Sequence, residues 1–236
     1  GIETSDISGF TTAGFRSLDS VQIGQFSTAQ VAALTVSEVA AMGTDDLQGL
    51  TTAQLTGMSA TQLASFSTSQ VANFTSDQID GLTTAQVGGL TTVQVGAITS
   101  DNLQTLSTAQ IAGLVTAQLA NLKTAQIAAI TSVQVTGIEA SDIAGFTTAG
   151  FRSLDSVQIG QFTTAQISSL ATAQIAAMGT NDVVGLTSDQ ITSMSATQLT
   201  AFSTAQVSNI TSVQIAGLAT ADIGSLTATQ VGAISS

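Results

Sequence analysis

Apolar residues recur along this chain at two fixed places in every eight. Counting from residue 2, position 1 of each octad is Ile, Leu, Phe or Met, and position 6 is Ile, Val, Leu or Phe. The pattern runs through 29 consecutive octads, residues 2 to 233, with no insertion or deletion. A period this strict is the mark of a repeat protein whose unit buries its apolar side only against neighbouring units. An elongated array is expected rather than a compact domain.

A typical unit, Leu82-Thr83-Thr84-Ala85-Gln86-Val87-Gly88-Gly89, predicts a very short helix. Thr83 stands as N-cap, its hydroxyl accepting the Gln86 N–H while the Gln86 side chain returns to the Thr83 N–H, a capping box. Leu82 and Val87 then form a hydrophobic staple across the same turn. Position 5 is Gln in 20 of the 29 octads and Asp or Glu in six more, and position 2 is Ser, Thr or Asp in 21, so this reading holds for most units. Position 3 is Ser or Thr in 24 octads. Either the cap shifts by one residue, or this hydroxyl serves a neighbouring coil. Gly, Ala, Ser and Asn dominate positions 7 and 8, which predicts a left-handed residue closing each helix.

A continuous helix fails on arithmetic, because eight residues at about 100° each rotate the apolar stripe by about 80° per octad. A β-solenoid is the competing architecture, since Thr, Val and Ile are abundant, but apolar slots five and three apart do not keep to one strand face. Burying two apolar side chains gives roughly 3–6 kcal/mol, against about 8–16 kcal/mol for ordering eight backbones. Stability therefore needs coils stacked on both sides. The expected fold is an all-α solenoid of very short capped helices, one per octapeptide. Phe10, Phe26, Met42, Met58 and Phe74, alternating with Leu18, Leu34 and Leu50, point to two octads per coil.

A longer period overlies the octads. The stretch GFTTAGFRSLDSVQIGQF from Gly9 to Phe26 recurs identically from Gly145 to Phe162, an offset of 136 residues, or 17 octads. Residues 1–137 thus form a first superrepeat and 138–236 a second, incomplete one, in one expected continuous solenoid; the chain reads as a mature protein or a fragment of a longer array. Both copies carry the most unusual octad: Gly14 or Gly150 replaces the capping Gln, Phe15 or Phe151 fills position 6, and Arg16 or Arg152 follows. Asp19 or Asp155 comes three residues later. These eight residues are the candidate assembly contact, Arg acting as an anchor; the bland reading is a local packing change with a weak surface ion pair.

Charge narrows the chemistry. The net charge is −12, and the only basic residues are Arg16, Lys123 and Arg152, so a phosphate backbone is repelled and nucleic acid is not an expected partner. The absence of Cys and His excludes thiolate nucleophiles, Ser-His-Asp triads and the usual zinc sites. Most of the fifteen acidic residues occupy octad positions that suit a helix N-terminus, leaving only incidental carboxylate pairs such as Asp45 with Asp46 or Asp77 with Asp80 for calcium. No enzyme activity, no cofactor and no metal are expected. No apolar run approaches the roughly 18 residues of a membrane span.

The run LTTAQVGGLTTVQVGAIT, residues 82–99, resembles the octapeptide-repeat regions of very large secreted bacterial surface proteins of the adhesin-like or surface-layer-like kind. That resemblance implies an extracellular or cell-surface bacterial setting and a structural or adhesive role. The expected function is a structural segment of a filament, surface layer or adhesin stalk, with copies of itself as partners, head to tail and laterally. Ranks of Thr raise the alternative of ice binding, and the Arg16 and Arg152 octads that of a glycan- or surface-binding adhesive module.

Overall fold

In the computed structural model, residues 3–7 and 9–234 are described. Among them, each octad holds one helical element, 26 α-helices and three 3-10 helices in all, with no strand. The α-helices are four to seven residues long, and in most of them the capping box accounts for where they start. In Thr84–Gly89, for example, Gln86 N–H donates to Thr83 Oγ1 at 3.2 Å, and Thr83 N–H donates to Gln86 Oε1 at 3.0 Å. Where position 2 has no acceptor, the side chain at position 5 still serves. Gln174 Oε1 takes the Ala171 N–H at 2.8 Å, and the Gln174 N–H turns to the Ala171 carbonyl at 2.9 Å. The cap does not move.

The helix ends differ from expectation. No described residue has positive φ. Helices stop on a right-handed residue, such as Gly57 at φ −75°, ψ −12°, and the chain then extends into the next cap. Small residues at position 8 are there for close approach instead. A Cβ on Gly145 would lie 2.5 Å from the Thr116 carbonyl oxygen, and one on Gly185 would lie 2.6 Å from that of Ser156. In each pair position 8 rests on position 3 of an octad three units earlier. Position 3 therefore faces the neighbouring coil, as the Ser188 hydroxyl shows by donating to the Val213 carbonyl at 3.2 Å.

The chain forms two compact units, Gly1–Leu114 and Val115–Ser236. Within each, a helix packs on the one three octads away, as Thr28–Ala32 does on Thr52–Thr56 and Ser156–Gly160 on Thr180–Gly185. Side-chain amides reach 28 to 31 residues back, to the junction of the third and fourth octads before. A coil thus holds about three and a half octads, near 28 residues, and not two. The reason is geometric. A helix of five residues is only about 7.5 Å long, so two would fold back as a hairpin with no interior, whereas three to four enclose a core that takes both apolar slots. Position 6 is its centre, with Ile79, Val95, Ile159 and Ile191 all 0 % exposed, and position 1 lines it.

Candidate assembly surface

The feature that joins coils is the position-5 amide. Gln94 is 2 % exposed. Its Oε1 accepts from the Thr91 N–H at 2.9 Å and the Thr91 hydroxyl at 3.0 Å, while its Nε2 donates to the Leu63 and Phe66 carbonyls, both at 2.8 Å. One side chain starts its own helix and fastens it to the coil before. In the second unit Gln198 does the same, with Nε2 to Ile167 O at 3.0 Å and Leu170 O at 2.8 Å. A glutamine amide offers an acceptor on one atom and a donor on another, whereas an ionised glutamate offers acceptors only. The capping box alone is served equally by Glu, so the signal for this ladder lay in the sequence as a marked preference for Gln over Glu at position 5.

The exceptions show what the amide does. Glu38, 2 % exposed, caps Thr35 through Oε2 at 2.6 Å, but its Oε1 is buried without a hydrogen-bond partner. Asp182 accepts the Gly179 N–H at 2.7 Å. Burial lifts its pKa above the ordinary 3.8 and the charge of Asp155 adds to the rise, while the Gly179 hydrogen bond opposes them. Asn102 keeps the donor, with Nδ2 on the Phe74 carbonyl at 2.7 Å.

The eight residues singled out from sequence divide between core and surface. Phe15 and Phe151 are 0 % exposed, stacked on Phe26 and Phe162 at 6.1 Å in each case. The glycine before each stands where an amide would otherwise be. A Cβ on Gly150 would meet Ile127 Cδ1 at 2.3 Å, so the neighbouring core side chain has moved into that space. Gly14 is half-buried and Gly150 buried.

Arg16, Arg152, Asp19 and Asp155 are exposed. Arg16 Nε donates to the Ala41 carbonyl and Arg152 Nε to that of Ala177, both at 3.4 Å. Asp19 and Asp155 cap their own helices, accepting from Gln22 N–H at 2.9 Å and Gln158 N–H at 2.8 Å. The weak Arg–Asp ion pair of the bland reading is not formed, since these hydrogen bonds go to backbone. The two copies therefore present the same exposed arginine and aspartate over the same buried phenylalanine.

Among the described residues no group of three carboxylates is placed to hold a metal ion, and no helix is long and apolar enough to cross a membrane.

Comparison with known proteins identifies the repeat. The family described as ALTTAQ repeat matches the chain over residues 1–36, 39–76, 62–92, 73–108, 95–137 and 135–172, together more than half of its length. No curated protein matches it.

Proposed function

This chain belongs to the ALTTAQ repeat family, and we propose that it is a structural segment of an extracellular bacterial filament, surface layer or adhesin stalk that assembles end to end with copies of itself. The observation that carries this reading is the polarity of the amide ladder. Within each unit a coil receives amide donors from the coil after it and gives its own to the coil before. In the first coil Gln22 is exposed. It borders a recess of about 330 Å3 lined also by Leu18, Gln25, Phe26 and Gln30. A joint whose donors all point one way and whose carbonyls point the other has a direction, so the same joint made between two copies is a heterologous contact, which propagates.

The rest of the surface supports a scaffold rather than a catalyst, because the polar groups are spent on caps and coil joints. An ice-binding face would need an unbroken plane of Thr, and position 3 is interrupted by Val36, Ala60, Ala140 and Ala196. The test is electron microscopy of the full chain over rising concentration. End-to-end filaments are expected; particles that stay single at high concentration would overturn the reading.

A further inference from the structure

Position 4 of the octad points outward, and its larger occupants are ordered. In the first unit they are Val21, Asp45, Asp77 and Asp101; in the second, Val133, Val157, Asp189 and Val213; all are exposed. Elsewhere, apart from Val93, this position holds Ala, Ser, Thr or Asn. The steps are 24, 32 and 24 residues within each set. Steps of three and four octads in alternation follow a coil of three and a half, so each unit carries one such octad per coil, in a row. Position 3 is Ser in seven of these eight octads and in no other.

Duplication does not account for the row. At the 136-residue offset the counterpart of Asp189 is Ala53, and that of Asp45 is Asn181. Val21 and Val157, and Asp77 and Val213, are counterparts at that offset, but Asp45 and Asp189 keep step with the coil alone. Packing does not account for it either, since Val157 is 62 % and Val213 73 % exposed.

The duplicated corner lies in this row. Arg152, Asp155 and Val157, like Arg16, Asp19 and Val21, are exposed within five residues of chain. The charged members make no ion pair, their hydrogen bonds going to backbone. Lys123 adds a second cation one coil below, where the Ser153 hydroxyl holds the Thr124 carbonyl at 3.1 Å and so brings residues 123 and 152 to neighbouring coils.

We propose that the row is a lateral interface between two copies of the chain lying antiparallel about a twofold axis, valine against valine, with Arg152 facing Asp155 of the partner subunit. A surface that carries both signs three residues apart is complementary to itself in such a contact, where each residue meets its counterpart's neighbour. In the second unit Arg152 and Lys123 stand beside Asp155 and Asp189, so an acidic or a basic partner would match only half of the charges there. At most one row valine per coil falls far short of the roughly 1,200–2,000 Å2 of a stable interface, so strength comes from repetition along the coils. The inference deepens the self-assembly reading and rests on it.

The chain has no Cys, so Val157→Cys supplies a single thiol. Treated with a short bismaleimide, this variant is expected to form cross-linked dimers, and Val93→Cys, 58 % exposed but off the row, to form about tenfold fewer. In the Val157→Cys background, Arg16→Asp with Arg152→Asp should lower the yield by about tenfold. So should Asp19→Lys with Asp155→Lys, which the fold tolerates because Lys123 already occupies a cap position. Mixing the two charge variants should restore it, since opposite charges then meet again. Equal cross-linking at Val93 and Val157, or no recovery on mixing, would overturn the lateral contact. Filaments that form without any row cross-link would remove this inference and leave end-to-end assembly standing.

Discussion

Replacing Gln94 by Met isolates the energetic role of the amide ladder. The two side chains are close in volume, so the core at this coil is not opened, and every polar contact of the amide is lost. Two backbone groups then stand without the partner they have now: the Thr91 N–H, 2.9 Å from Oε1, and the Phe66 carbonyl, 2.8 Å from Nε2. The Leu63 carbonyl keeps the Phe66 N–H at 3.2 Å. Each buried polar group left unsatisfied costs about 1–3 kcal/mol, two groups are affected, and the apolar gain of methionine returns about 1 kcal/mol, so the net loss should be about 1–5 kcal/mol. Because stability in a solenoid is a sum of local and nearest-neighbour terms, the loss belongs to the coils on either side of residue 94. Native-state amide hydrogen exchange reads such local free energies directly. Faster exchange is expected in octads 90–97 and 58–73, with distant coils unchanged. A change below about 1 kcal/mol, or one spread evenly over the chain, would refute the argument. Gln94→Glu separates the two halves of the joint, since the carboxylate still accepts from Thr91 but opposes two carbonyls with no donor. It should therefore be less stable at neutral pH, and acid should recover part of the loss.

Glu38→Gln runs the ladder argument in reverse. It gives the unpartnered Oε1 position an NH2 and should stabilise the first unit by about 1–3 kcal/mol, read as slower exchange at Thr35 and its neighbours. Asp182→Asn should raise stability at neutral pH and flatten its pH dependence. A carboxyl whose pKa is raised on folding binds more protons folded than unfolded, so its contribution is fully present below its ordinary value of 3.8 and declines as pH rises through the raised one. Melting curves across this range should show the slope in the wild type and its loss in Asp182→Asn. Gly185→Ala, whose Cβ would sit 2.6 Å from the Ser156 carbonyl oxygen, should destabilise by about 1–3 kcal/mol. Gly224→Ala, with open space around it, should be neutral or gain up to about 1 kcal/mol; equal effects in thermal melts would argue against close coil approach at position 8.

The sequence by itself determined the local structure: two apolar slots, a Ser or Thr cap and a glutamine three residues on dictate a helix that opens at position 2, and caps act within one turn, inside a single octad. What it left undecided lies between octads. The number of units per coil depends on how short helices enclose an interior, which no alternation of Phe10, Leu18 and Phe26 encodes, and so tertiary structure replaced two octads with three and a half. Position 8 looked like a place for left-handed glycine, but the pressure on Gly145 comes from Thr116, 29 residues away. Phe15 and Arg16 read as one anomaly, and only the coil's inside and outside part them, sending the ring to the core and the guanidinium to the surface. The second function of glutamine followed the same rule. Its acceptor serves the helix it starts, visible in four consecutive letters, and its donor serves a carbonyl 28 residues back, which becomes near only once the chain has wound a full coil.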